Sequence, residues 1–425
     1  MLHEQPETFA GTLVEPRAAL TAADPEAATI LAREERRQRE GLTLIPSENH
    51  AFPQIRAMLG SVFADKYAEG LPGRRYYGGA AHVDEIEDLA RARAKALFGA
   101  EHANVQPLSG SPMNQAVYFG LLEPGDTILA MDLSHGGHLT HGAPVSAMGK
   151  LFRFIRYGTR PGGSFDMDEI RAVARRERPK LVITGFSSYP RDIDYAAFRQ
   201  VADEVGALAM ADVSHVGGLI AGKALANPFD SGFDIVTTTT HKTLRGPRGG
   251  LILCKAAHAR AIDQAVFPGL QGGPHMDHVA ALAVALKLID TDAYRAHARQ
   301  VLVNAKALAG ALTARGATLV TGGTDNHLMV VDVAASFGVD GAEAQARFDR
   351  VGLVANKQVV PDDDRPAMRP SGLRLGTPAV TTRGMTAAEM DGLAELIVAT
   401  ITQARPETEL RAQVQALAHR FPIPA

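Results

Sequence analysis

Apolar positions recur at helical spacing between residues 84 and 98. Ile86, Leu89, Ala90, Ala94 and Leu97 share one face, acids crowd the first turns, bases follow, and Gly99 offers a stop. Beyond this expected helix the pattern changes. Short apolar runs at Asp126-Thr127-Ile128-Leu129-Ala130-Met131, Leu181-Val182-Ile183-Thr184, Leu208-Ala209-Met210-Ala211-Asp212 and Asp234-Ile235-Val236 alternate with helical patterns. Strands joined by helices in this way predict an α/β fold with a mostly parallel sheet. Ligands of such sheets gather at the carboxyl ends of the strands. Asp212, Ser187 and Lys242 each lie just past an apolar strand core, so one pocket can gather all three.

A helix is expected over 279–288, and a second region starts near residue 296 with its own strand signal, Leu328-Met329-Val330-Val331, and a closing helix over 387–400. The predicted division is an N-terminal arm (1–30), a large domain (31–295) and a smaller C-terminal α+β domain (296–425). A chain of 425 residues has length enough for two cores.

Charge narrows the class. Lys+Arg 44 against Asp+Glu 47 leaves a formal charge of -3, with no basic surplus for nucleic acid. No apolar run reaches the roughly 18 residues of a membrane span, and the first residues lack a basic start followed by an apolar stretch, so a soluble cytoplasmic protein is expected. The only cysteine, Cys254, closes the apolar run Gly250-Leu251-Ile252-Leu253 and reads as a small core residue.

The chemistry centres on Lys242, in Thr237-Thr238-Thr239-Thr240-His241-Lys242-Thr243, between a strand and the glycine-rich Arg245-Gly246-Pro247-Arg248-Gly249-Gly250. A Schiff-base lysine is presented in this manner, and like charge from His241 and the arginines is expected to lower its pKa. Ser109-Gly110-Ser111 precedes an expected helix over 113–122; it can meet a phosphate at the helix N-terminus or serve as an ordinary cap. Asp212 can face a pyridinium nitrogen or simply cap its strand, and His215 and Ser187 can approach the same ring. His135, His138 and His141 invite a metal, but the two glycines between them and the absence of a nearby carboxylate or cysteine partner fit a flat imidazole on a planar cofactor better, and no metal is expected. Arg374, in Ser371-Gly372-Leu373-Arg374-Leu375-Gly376-Thr377-Pro378, can grip a carboxylate through two hydrogen bonds or sit in a surface ion pair. Together these describe a pyridoxal-phosphate enzyme acting on an amino acid.

Several runs make the match more specific: Leu44-Ile45-Pro46-Ser47-Glu48-Asn49, Tyr67-Ala68-Glu69-Gly70, Arg75-Tyr76-Tyr77-Gly78-Gly79, Ser109-Gly110-Ser111, 135–142, 237–250, Gln271-Gly272-Gly273-Pro274 and 372–384. In order and spacing the sequence resembles serine (glycine) hydroxymethyltransferase from about residue 30 onward. The resemblance implies a fold-type I pyridoxal-phosphate enzyme with Lys242 as cofactor anchor, Asp212 on the pyridinium nitrogen and His138 stacked on the ring. It implies phosphate contacts from Ser109, Gly110 and Ser111, ring-oxygen contacts from Ser187 and His215, and the substrate carboxylate on Arg374, with Ser47 and Tyr77 beside the substrate. Glu69 is expected to handle the proton of the β-hydroxyl. Tetrahydrofolate is the implied one-carbon carrier, with Glu69, Tyr76 and Gln358 at its site. Tyr67, Glu69, Tyr77 and Gly272 are expected to reach the active site of a neighbouring subunit, which implies a homodimer or a dimer of dimers.

Residues beside these runs depart from the family's usual ones: Pro46, His50, Ser214, Gly217, Gln358, Met368 and Pro370. Retro-aldol cleavage needs no α-proton, so a roomier pocket would admit α-methylserine, giving D-alanine, in place of L-serine. The same departures leave open a folate-independent aldolase. A pyridoxal-phosphate fold kept only for binding is disfavoured by intact Lys242, Asp212, Glu69 and Arg374.

Overall fold

The computed structural model describes residues 16–424; residues 1–15 of the expected arm lie outside the described residues. The first long helix after the arm, Ala81–Phe98, ends where Gly99 turns left-handed at φ 71°, its N–H bonded to the Lys95 carbonyl. Its inner face differs from the apolar stripe in the sequence. Leu89 is exposed, whereas Glu87 is buried.

Glu87 can be buried because both its oxygens are bonded. Arg75 Nη2 donates to Oε2 at 2.6 Å and Gln106 Nε2 to Oε1 at 2.8 Å. Burial raises the Glu87 pKa, and the Arg75 guanidinium pulls it back. The same guanidinium donates to the carbonyls of Ala68 and Gly70, so this pair ties the segment bearing Tyr67, Glu69 and Tyr77 to the helix. Glu87→Ala would remove one of the two carboxylates that Arg75 pairs with and leave Asp84, 2.8 Å from its Nε, as the other, so a loss of about 1.5–3 kcal/mol is expected in urea unfolding.

The large core surrounds a seven-stranded sheet. Across it run His102–Asn104, Gly250–Cys254, Ile235–Thr239, Leu208–Asp212, Leu181–Gly185, Thr127–Met131 and Arg153–Tyr157. Only Gly250–Cys254 is antiparallel to its neighbours, so the sheet is mostly parallel and the α/β class holds. The four strands expected from the apolar runs are all present, and Cys254 is a free, buried core thiol. Register matters for function: Gly185 pairs with Asp212, and Asp212 with Thr237. The loops after these three strands therefore open at one edge. Gly185 has φ 134°, and a Cβ there would lie 2.2 Å from the Asp212 carbonyl oxygen, so only glycine lets the strands close at this level.

A second core lies against an antiparallel sheet of Thr318–Leu319, Leu328–Asp332, Gly372–Gly376 and Asn356–Gln358. The helix Asp292–Ala314 runs across the expected boundary at residue 296 and serves both cores: Tyr294, Ala298 and Val301 pack in the first, Ala305, Leu308 and Leu312 in the second. Leu42 and Leu44, assigned by sequence to the large domain, are buried in the second core, and Leu42–Thr43 pairs in parallel with Leu353–Val354. A two-residue strand carries no periodicity from which such a distant pairing could be read. No helix among the described residues is long and apolar enough to cross a membrane.

Candidate active site

A cavity of about 760 Å³ opens where the sheet's carboxyl edge meets the second domain. Ser47, His138, Ser187, His215, Lys242 and Arg374 all line it, together with Gln358 and Pro370. These residues come from six separate stretches of chain, and the strand register gathers them.

Lys242 lies three residues beyond the strand Ile235–Thr239. Its pKa is pulled down to about 8, first by loss of hydration and then by Arg374 and Arg248, against the opposing pull of Asp212. His241, expected to contribute like charge, does not. Burial, with Arg248 and Lys242, drives its own pKa to about 3, so it is neutral beside the lysine. At neutral pH about a tenth of the Lys242 amine is then unprotonated and nucleophilic.

Asp212 is buried at the end of its strand and accepts three hydrogen bonds: Asn114 Nδ2 at 2.8 Å, His141 Nε2 at 3.2 Å and the Ser214 N–H at 3.0 Å. Burial alone would raise its pKa, but the hydrogen bond from His141, the electrostatic pull of the His141 and His138 rings, and the Ser214 amide outweigh it and hold the carboxyl far below its ordinary value. His141 Nδ1 accepts the His138 N–H, so the proton of a neutral His141 ring sits on Nε2 and points at Asp212. A carboxylate with three bonds made retains capacity for one more donor.

His138, His141 and Asp212 bring donor atoms within 4.8 Å of one another, as a metal site would. The lone pairs of the two imidazoles are already engaged: His138 Nδ1 accepts the Thr140 N–H at 3.2 Å, and His141 Nδ1 accepts the His138 N–H at 3.3 Å. Burial lowers the His138 pKa to about 4, with Asp212 opposing and His141 and Lys242 assisting, leaving a flat neutral ring at the cavity wall.

Ser109, Gly110 and Ser111 do not border this cavity. They open the helix Gly110–Leu121, and Ser109 makes no side-chain cap bond, unlike an ordinary cap. Gly110 packs so closely on Thr239 that a Cβ would lie 2.8 Å from its methyl carbon. Asn114, one turn along the same helix, donates to Asp212 and accepts from Thr237 at 2.9 Å, so the helix start and the carboxylate share one scaffold.

Arg374 is mostly withdrawn from water, which lowers its pKa to about 10. It donates to Asn356 Oδ1 at 3.1 Å and to the Ser187 carbonyl. Among the described residues no carboxylate pairs with it, which excludes the surface ion pair and leaves a desolvated cation suited to an incoming anion. Asn356 was missed as a site residue; the strand pairing that sets it opposite Arg374 is its only signal. His327 was missed as well: it is fully buried, with Nε2 3.3 Å from His215 Nδ1.

Tyr67, Glu69, Tyr77 and Gly272 form a separate cluster. Tyr67 donates to Glu69 Oε1 at 3.3 Å, the Tyr67 and Tyr77 rings meet edge-on at 5.0 Å, and Gly272 lies against Glu69. Tyr76 packs on Phe267 beside a different cavity. None of the five borders the Lys242 cavity in its own chain, and the three tyrosines are exposed.

The departures from the usual residues separate likewise. Ser214 is buried and accepts the Thr239 N–H, and Gly217 faces the Thr238 hydroxyl, where a Cβ would stand 2.3 Å away. His50 is buried elsewhere, and Met368 is exposed. Only Gln358 and Pro370 line the Lys242 cavity.

An ionised buried carboxylate, a partly neutral lysine, a flat neutral imidazole and an uncapped helix N-terminus are the donor set pyridoxal phosphate requires, so the residues present fit it. Comparison with known proteins points the same way. The family model for serine hydroxymethyltransferase matches residues 20–397. A serine hydroxymethyltransferase of Acidobacterium capsulatum is 50% identical over 408 residues, 95% of each chain. One from Desulfotalea psychrophila is 49% identical over 409 residues, 96% of each, and one from Acidothermus cellulolyticus 50% over 420 residues, 96% of this chain and 98% of that one. The chain belongs to the serine hydroxymethyltransferase family, enzymes that use pyridoxal phosphate and carry the one-carbon unit on tetrahydrofolate.

Proposed function

We propose that this enzyme converts L-serine and tetrahydrofolate reversibly to glycine and the one-carbon folate. The observation that carries the amino-acid reading is Arg374, a desolvated guanidinium at the cavity wall with no carboxylate partner among the described residues. It holds the substrate carboxylate, and Asn356 and the Ser187 carbonyl hold its plane. Lys242 is the cofactor anchor, its amine partly neutral at physiological pH. Asp212, kept ionised, would hold a proton on the cofactor's ring nitrogen, and His138 would supply a flat wall for the ring. Ser109, Gly110 and Ser111 take the phosphate, with helix N–H groups unpaired at that end. When bound, pyridoxal phosphate supplies the electron sink for the α-carbon. Ser47 lies beside the amino acid and Gln358 offers its amide to the folate.

Glu69 takes the β-hydroxyl proton, with Tyr77 beside it, in the active site of a second copy of the chain, and Tyr67 and Gly272 accompany them. Exposed Tyr67, Tyr76 and Tyr77 support that reading, as does the fact that none of them lines their own chain's cavity. The functional unit is a homodimer at minimum, acting on small molecules in the cytoplasm. Mixing Lys242→Ala chains with Glu69→Ala chains tests the shared site. Each hybrid dimer has one site with both lesions and one with none, so random assortment should restore about a quarter of wild-type turnover. No recovery would assign Glu69 to its own chain's site.

A second reading, α-methyl-L-serine to D-alanine, is favoured by one observation: Gln358 and Pro370 line the cavity itself. Comparing kcat/KM for L-serine and α-methyl-L-serine at saturating tetrahydrofolate decides between them. A larger value for L-serine is expected; a larger one for the methylated substrate would replace the first reading with the second.

A further inference from the structure

His327 lies immediately before the strand Leu328–Asp332, and His215 lies three residues past the end of Leu208–Asp212; the two rings come from different domains. Their nearest nitrogens, His215 Nδ1 and His327 Nε2, are 3.3 Å apart, and the ring centroids are 5.5 Å apart at 34°. Both side chains are buried. Burial, reinforced by Arg374 and Lys242, lowers the His327 pKa to about 3; burial, with Lys242, Arg374, His327 and His138, holds that of His215 well below its ordinary value. Two neutral rings therefore share one hydrogen bond, and it can run in either direction.

The other nitrogen of His327 decides the direction. His327 Nδ1 is buried and has no partner among the described residues. Were His215 the donor, the proton of His327 would sit on Nδ1, as an orphaned N–H in the interior. Were His327 the donor, Nδ1 would be a bare lone pair. Orphaned buried donors are rarer and costlier than under-satisfied acceptors, so His327 Nε2–H donates to His215 Nδ1. The proton of His215 then sits on Nε2, the nitrogen left to serve the cavity that His215 lines.

We propose that His327 is a positioning residue that locks His215 in its Nε2–H tautomer, so that the active-site cavity is offered a hydrogen-bond donor matched to an anionic ring oxygen. The choice of target rests on the pyridoxal-phosphate reading; the tautomer itself does not. An acceptor at the same place would repel an oxyanion, so the orientation matters as much as the presence of His215. The contact also spans the two domains, since His327 opens the second sheet while His215 follows the first.

Ring-nitrogen chemical shifts of 15N-histidine-labelled full-length protein, recorded without cofactor at neutral pH, test the lock directly. His215 should show a protonated Nε2 and a bare Nδ1 in the wild-type chain. A His327→Phe chain, which fills the space without a donor, should show His215 as a mixture of tautomers, and once loaded with cofactor a kcat about tenfold lower with KM changed less than about twofold. A proton on Nδ1 in the wild type would overturn the proposal even if the variant does not fold. An unchanged His215 tautomer in a folded His327→Phe chain would overturn it as well. Failure of the cofactor reading would register separately, as the absence of a pyridoxyl adduct on Lys242 after borohydride reduction.

Discussion

Replacing Lys242 with alanine is expected to remove the borohydride-trapped pyridoxyl adduct and to lower turnover by at least about a thousandfold, roughly 4 kcal/mol of barrier. The other lysine of the cavity, Lys357, sits within the strand Asn356–Gln358 and donates to the Met368 carbonyl. The fold should survive the change. The pKa of Lys242 in the folded chain is about 8 against an ordinary 10.5, so the folded state binds this proton more weakly than the unfolded one. The charged amine therefore opposes folding below pH 8, and the opposition fades between pH 8 and 10.5, so this group makes stability rise with pH through that window. Lys242→Ala lifts the opposition, and its melting temperature at pH 7 should equal or exceed that of the wild type. Uptake of pyridoxal phosphate by the cofactor-free wild type should quicken as pH rises through 8, because the neutral Lys242 amine is the form that attacks the aldehyde.

Arg374→Ala is the second large effect. It is expected to lower kcat/KM for the amino acid by about a hundredfold to a thousandfold, or about 3–4 kcal/mol, since a desolvated carboxylate would lose a paired, charge-assisted contact. Cofactor absorbance should persist, because Arg374 contacts Asn356 and Ser187 rather than the helix N-terminus at Ser109. Arg374→Lys keeps the charge but not the planar fork, so it should recover only part of the loss. Asn356→Ala should weaken binding more mildly, as it frees the guanidinium without removing it. Steady-state kinetics with cofactor absorbance as a control measures all three. An Arg374→Ala enzyme with unchanged kcat/KM would move the carboxylate elsewhere.

The parallel strands and the placement of Lys242 and Asp212 were legible because each apolar run is local, and each functional residue follows its run directly. What was not legible depends on distant partners. Glu87 is buried only because Arg75 and Gln106, which lie 12 and 19 residues away, bond its two oxygens, and Leu42 joins the second core through a pairing with Leu353, far along the chain. Asn356 and His327 carry no motif of their own; only the strand register and the domain contact bring them to Arg374 and His215. Of the like charges expected to depress the Lys242 pKa, the arginines contribute, through Arg374 and Arg248, but His241 loses its charge on burial, and desolvation of the lysine is the leading cause. The departures at Ser214 and Gly217 could be separated from those at Gln358 and Pro370 only once the cavity wall was known.

The central claim, hydroxymethyl transfer from serine to a folate carrier, is tested most directly by turnover of L-serine in the purified enzyme with and without tetrahydrofolate. Glycine formation that saturates with tetrahydrofolate and matches the one-carbon folate produced, mole for mole, is the expected result. Glycine released with free formaldehyde at a rate indifferent to tetrahydrofolate would contradict it and make the enzyme an aldolase.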